Sequence, residues 1–147
     1  MKDFAKWLNL VEDAVLKESA KQVVNDVKIA GPYYSGEFER NWVVIPGATD
    51  VPGNVKEGTR PNIPRNRTIT RTPIPKPKND ALTIGNRMEY KAIAQDLVPG
   101  RLKEGGGAGS ANQDWFTTYA TSQIQNALNK GVTAASQDST IRNFKGS

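Results

Sequence analysis

Apolar residues in the first thirty positions recur with the period of a helix. Phe4, Leu8, Val11, Val15, Ala20, Val23 and Val27 follow one another at steps of three to five, and Trp7 and Val24 widen the stripe. Lys6, Glu12, Asp13, Lys17, Lys21 and Asn25 fall on the opposite side. The pattern predicts a helix over 3–29, with Asp3 as its N-cap and Gly31-Pro32 as its stop. Such a helix is a rod of roughly 37 Å that must lie against a partner along most of its length.

Shorter patterns follow. Tyr33–Arg40 reads as a connector with one helical turn begun by Ser35. The run Trp42-Val43-Val44-Ile45 predicts a strand covered on both faces and closed by Pro46-Gly47. Ala81–Asn86 predicts a second strand, with Leu82 and Ile84 on one side. Met88–Leu97 has the spacing of a short helix, with Tyr90, Ile93, Ala94 and Leu97 on one face. A loop over 98–112 centres on Gly105–Gly109, and Ser110 with Gln113 forms a capping box. The helix that follows carries Trp115, Phe116, Tyr119, Ile124, Ala127 and Leu128 and is expected to stop at Gly131. Residues 132–147 read as a polar, frayed tail in which Ile141 and Phe144 are sticky points.

Between the two strands the chain changes character. Residues 46–80 hold Pro46, Pro52, Pro61, Pro64, Pro73, Pro75 and Pro77. The basic residues Lys56, Arg60, Arg65, Arg67, Arg71, Lys76 and Lys78 face only Asp50, Glu57 and Asp80. The segment is expected to be an extended arm or insertion, with an edge strand over Arg67–Thr72 and a polyproline-like stretch from Pro73 to Pro77. Deleting residues 50–78 is expected to leave the rest folded. The whole pattern predicts a single α+β domain over 1–147: a small antiparallel sheet of about three strands packed against two long helices, with a long, extended, Pro-rich basic arm. There is no internal repeat.

Composition narrows the chemistry. The chain of 147 residues has no cysteine and no histidine, which excludes disulfides, thiolate chemistry and every histidine-based triad or metal site. Any metal site would be all-oxygen, and no metal or cofactor is expected. The net charge of +5 permits an anionic partner without demanding one. No apolar run spans a bilayer and no signal sequence opens the chain, so synthesis in a cytoplasm and no membrane partner are expected.

Four constellations in the sequence are candidates for chemistry or binding. The basic arm carries the best interface candidates: Arg65, Arg67, Thr68, Ile69, Thr70, Arg71, Lys76 and Lys78. They suit contact with another protein subunit, strand addition included, or with nucleic-acid phosphates, or simply solvation. The arm has no aromatic residue for base stacking. Gly105–Gly109 lacks the Lys-Ser/Thr ending of a phosphate loop and reads as a hinge. Glu37, Glu39, Glu89 and Asp96 are carboxylates without a nuclease signature, better read as ion pairs and solvated faces than as a magnesium site. Trp7, Trp42, Trp115, Phe116 and Tyr119 divide between core and interface in a way that sequence does not separate.

The stretch Gly31-Pro32-Tyr33-Tyr34-Ser35-Gly36-Glu37-Phe38-Glu39-Arg40-Asn41-Trp42 resembles the signature Pro-x-x-Thr-Gly-x-Leu-x-x-Ser-Trp/Ile. That signature follows the long first helix in neck and tail-completion proteins of tailed bacteriophages, the HK97 gp10-like family. The order of Ala81–Asn86 and then Tyr90-Lys91-Ala92 resembles the same family. Ser35 stands where the family has Thr, and Gln113–Phe116 replaces its Pro-Phe-x-x-Pro-Ala. The matching positions are Pro32, Ser35, Gly36, Phe38, Arg40, Trp42 and Tyr90. The resemblance implies a structural, non-enzymatic virion protein that forms a ring, commonly a hexamer. Its neighbours would be the portal or connector and the tail proteins, with duplex DNA passing through the channel. The alternative from another class is a small basic DNA-binding protein such as a phage regulator. Phe38 and Trp42, four positions apart, are expected to bury together.

Overall fold

The computed structural model describes residues 2–31, 37–56, 70–89 and 115–144. The order is α1 (Lys2–Ala30), α2 (Glu37–Arg40), β1 (Trp42–Pro46), β2 (Leu82–Asn86), α3 (Trp115–Thr118), a π-helical turn (Tyr119–Gln123), α4 (Ile124–Ser136) and α5 (Ser139–Arg142). The α3–π–α4 run acts as one long helix. It packs antiparallel to α1: Tyr119 meets Asp26, and Gly131 meets Ser19. The expected α+β class and the small sheet against two long helices are what the structure has.

The core forms where the two helices meet the sheet. From α1 it takes Ala20, Val24 and Val27, from α2 Phe38, and from β1 Trp42 and Val44; Met88, Trp115 and Tyr119 complete it. Four aromatic rings interlock at its centre. Phe38 meets Trp42 edge-on at 5.6 Å and Trp115 at 6.4 Å, while Trp42 stacks on Phe116 at 6.4 Å. These offset and T-shaped geometries suit ring quadrupoles. Phe38 and Trp42 are thus buried together, as their spacing led one to expect. Gly31 ends α1 so close to Trp115 that a β-carbon there would lie 3.1 Å from the indole and 2.9 Å from the Val27 carbonyl.

β1 and β2 pair antiparallel, Trp42 opposite Asn86 and Val44 opposite Ile84. Trp42 and Val44 turn to the helices and are buried; Val43 and Ile45 are half-buried on the other face. The strand therefore alternates and is not equally covered on both sides. Only two strands form among the described residues. The edge strand expected over Arg67–Thr72 is absent at Thr70–Thr72, the part of it that is described. The reason is local. The Thr70 amide donates to the Glu39 carboxylate at 3.0 Å, and Pro73, Pro75 and Pro77 have no N–H for a ladder. The segment instead runs alongside β1, with Thr70 bonded to Glu39 and the Thr72 hydroxyl donating to the Trp42 carbonyl at 3.4 Å. It then reverses at Asn79 and Asp80, both with positive φ, between the paired residues Lys78 and Ala81.

Several boundaries differ from expectation. α1 begins at Lys2, ahead of Asp3, so Asp3 is inside the helix and is not its cap. Residues 4–9 are exposed at every position, so Phe4 and Leu8 are not core. The last long helix does not stop at Gly131. It continues to Ser136, because Gly131 is a close-packing position where α1 crosses, and Ala135 is buried one turn on. The expected frayed tail is folded as far as it is described: Asp138 caps α5, its carboxylate accepting from the Thr140 amide at 2.8 Å. Met88 forms a parallel bridge with Val55 and so does not begin a helix. The rest of the expected helix over Met88–Leu97, the Gly105–Gly109 hinge and the Ser110 capping box lie outside the described residues.

Both described ends of the 46–80 segment belong to the domain. Val51 is buried on Gly85, and Val55 exchanges backbone hydrogen bonds with Arg87 and Glu89. Ile74 packs against the core. Deleting 50–78 would remove these contacts, so the deletion is expected to destabilise the domain. No described helix is long and apolar enough to cross a membrane.

Candidate protein-interaction groove

The start of the second limb, at Thr70, is held by a buried ionic junction. Lys28 lies on the buried face of α1, one turn after Val24, and Glu39 lies on the buried face of α2. Their charged groups are 3.6 Å apart, with side chains only 1% and 5% exposed. The Lys28 ammonium donates to the Thr70 carbonyl at 2.5 Å and to its hydroxyl at 3.2 Å. The Thr70 amide and hydroxyl donate to Glu39 at 3.0 and 3.1 Å. Three segments distant in sequence are thereby tied at one point. Burial pulls the Lys28 ammonium below its ordinary range, against the opposing pull of Glu39.

That junction sets the neighbouring residues. With Thr70 fixed to Glu39 and Thr72 to Trp42, Arg71 runs beside Arg40 and Asn41. Arg87 lies across the sheet, its amide donating to the Asn41 carbonyl at 3.0 Å. Asn86, fully buried, fixes this corner: its amide donates to the Phe38 carbonyl at 2.7 Å, and its oxygen accepts from the Met88 amide at 2.9 Å. The result is a groove of about 530 Å³ on the sheet face away from the helices. Val43 and Ile45 contribute its floor, Val51–Asn54 and Arg71–Pro73 its sides, and Arg40 and Arg87 join Arg71 in its lining. Among the described residues no Asp or Glu lines it. Arg40 keeps a 2.8 Å bond to Glu37; Arg71 and Arg87 are exposed and form no ion pair among the described residues.

The expected interface residues divide accordingly. Arg65, Arg67, Thr68 and Ile69 lie outside the described residues. Thr70 is an internal anchor, Arg71 lines the groove, and Lys76 and Lys78 are exposed beyond it. Of the positions that carry the resemblance, Phe38 and Trp42 are core and Arg40 lines the groove. Pro32, Ser35, Gly36 and Tyr90 lie outside the described residues. The carboxylates are not brought together: Glu37 pairs with Arg40, Glu39 with Lys28, and Glu89 is exposed. Asp96 lies outside the described residues. Among the described residues no cluster of three or more possible ligands could hold a metal ion.

A second exposed feature lies at the start of α1. Phe4, Trp7 and Leu8 are 61%, 37% and 39% exposed, and the Phe4 and Trp7 rings stack at 6.0 Å. Of the aromatic set left undivided by sequence, Trp42, Trp115 and Tyr119 are thus core, Phe116 packs on it, and Trp7 is at the surface. Sequence reasoning missed Lys28, Asn86 and the bond from the Tyr119 hydroxyl to Asp26 at 2.9 Å. A signal existed for Lys28: it continues the Ala20–Val24 row four residues on, where a lysine calls for a buried partner. Comparison with protein-family models, curated proteins and solved structures finds no match to this chain.

Proposed function

We propose that this chain is a structural, non-catalytic subunit of a bacteriophage neck, joining the DNA-filled head to the tail as an oligomeric ring. The observation that carries the reading is the exposed start of α1. Residues 4–9 of this amphipathic helix end are all exposed, Phe4 most of all, so its apolar side is only partly covered within the described residues. Two stacked aromatic rings and a leucine there are what an assembling subunit offers a neighbour. Support also comes from the Gly31–Trp42 stretch that resembles the family signature. Its two described ends and Phe38 converge on Trp115, just after a long first helix, the place the signature has in that family. In a ring, each subunit would present two different faces to its neighbours.

A second reading, a small DNA-binding protein, is favoured by the exposed Arg71 and Arg87, which form no ion pair among the described residues. One experiment separates the two. A nonsense mutation in this gene is placed in the phage that carries it, and the lysate is viewed by electron microscopy. Full heads and free tails without joined particles are expected. Normal infectious particles would overturn the neck reading and favour the DNA-binding one.

A further inference from the structure

We infer that the groove between the two limbs of the 46–80 segment receives an acidic peptide segment of a partner protein. The argument rests on the groove itself and holds whether or not the subunit belongs to a virion. Its floor is apolar and sheet-like: Val43 and Ile45 project from the face of β1 that the helices do not cover, and Pro52 and Pro73 line its sides. The four β1 residues in the lining run for about 13 Å, the length of a short extended peptide. Among the described residues the charged side chains in the lining are all arginines: Arg40, Arg71 and Arg87.

Their gathering is imposed by the fold. The Lys28–Glu39–Thr70 junction sets Arg71 beside Arg40, and the Arg87 amide bonded to Asn41 sets Arg87 across from both. Glu37 offsets part of the charge of Arg40 through their 2.8 Å contact, and nothing in the lining offsets the other two. Guanidinium groups so placed select carboxylates, which they can bind through two parallel hydrogen bonds. The apolar floor selects the neighbouring side chains.

The same features disfavour nucleic acid. The one aromatic ring in the lining is that of Trp42, which is 2% exposed and offers no face for a base to stack on. The arm's own basic residues exclude the arm of a second copy as occupant, because Arg65 and Arg67 would meet Arg71 and Arg87.

The test selects binders to the full-length protein from a random twelve-residue peptide library and sequences the retained pool. The expected pool is enriched in Asp and Glu next to apolar residues. A recovered peptide, labelled with a fluorophore, is then measured by anisotropy against three proteins. The double variant Arg71→Glu/Arg87→Glu should bind it at least about tenfold more weakly than wild type. The double variant Lys76→Glu/Lys78→Glu makes the same change in charge outside the groove and should change binding less than about twofold. All four positions are exposed, and circular dichroism verifies that each variant is folded. Three results would overturn the inference: no enrichment of acidic sequences, equal losses in the two variants, or a twenty-base-pair duplex displacing the peptide and binding more tightly than it.

Discussion

Replacing Lys28 by methionine keeps the length of the side chain and removes its charge. In the structure Lys28 and Glu39 are both almost fully enclosed and 3.6 Å apart, so the substitution leaves a carboxylate buried with only the Thr70 donors. Breaking one side of such a pair costs about 3–5 kcal/mol, far more than the loss of an exposed pair. For a domain of this size that is a fall in Tm on the order of 10 °C. Glu39→Leu strands the ammonium in the same way. In the double variant no charge is buried, and Thr70, at the surface, can turn its freed donors to water. The double variant should therefore lose less than the two singles added together, with a coupling of about 2 kcal/mol or more in urea unfolding. Additivity to within about 0.5 kcal/mol would refute the buried junction. There is also a signature in pH. The Lys28 ammonium is held below the usual 10.5 because burial outweighs Glu39. Between its folded value and 10.5 the unfolded chain binds the proton more strongly. Wild-type stability relative to Lys28→Met must then rise with pH through that window.

Gly131→Ala places a methyl group on the Ser19 hydroxyl and within 2.7 Å of the Ser19 backbone, where α1 and α4 cross. It should cost about 2–3 kcal/mol in thermal or urea unfolding, and an unchanged Tm would show that the helices can part freely. Ser19→Ala should be neutral or stabilising by up to about 1 kcal/mol, because the buried Ser19 hydroxyl has no hydrogen-bond partner among the described residues. Burial, and then the bond to Asp26, push the Tyr119 phenol well above its usual range. The unfolded phenol ionises near 10.0 while the folded one stays protonated, so this contribution is complete below that pH and is lost as pH rises above it. The stability gap between wild type and Tyr119→Phe should shrink from about pH 10 upward, and a gap that stays constant there would count against the bond. Trp42→Ala should cost about 3–5 kcal/mol, and an unaltered melting midpoint would move Trp42 out of the core.

Periodicity made the long elements legible. The α1 stripe, the β-branched run at Val43–Ile45 and the spacing of Trp115 and Tyr119 each carry a local rule, and the structure follows them. What periodicity could not tell is where a partner runs out. Phe4 and Leu8 obey the same pattern as Val24 and Val27, yet both stay exposed where those two are buried. Gly131 misled for the opposite reason. A glycine near the end of a helical pattern reads as a stop, but here it lets a second helix approach, and that depends on Ser19, more than a hundred positions away. The groove was legible only in its charges. The sequence singles out Arg71 for the arm and Arg40 for the resemblance, but not Arg87, and the three are set together by Asn41, Glu39 and Thr70, contacts between segments that no local pattern reveals.

At its described ends the 46–80 segment is fastened to the domain. The prolines of its second limb have a specific part in this. In the stretch beside β1, Pro73, Pro75 and Pro77 occupy alternate positions, so every second backbone donor of a third strand is missing. The limb covers the strand edge without joining the sheet, which guards the edge against pairing with other chains. It also leaves Arg71 held by its neighbours Thr70 and Thr72 and not by a ladder. The other limb is seated by Val55, packed against the core and bonded to Arg87 and Glu89, and by Val51 on Gly85, where any larger residue than glycine would displace it. Because both limbs are fastened to the domain, a partner bound between them would pull on Lys28 in α1 and on Gly85 in β2 together. Load on the groove would thus reach both the helix layer and the sheet, as a joint in an assembly requires.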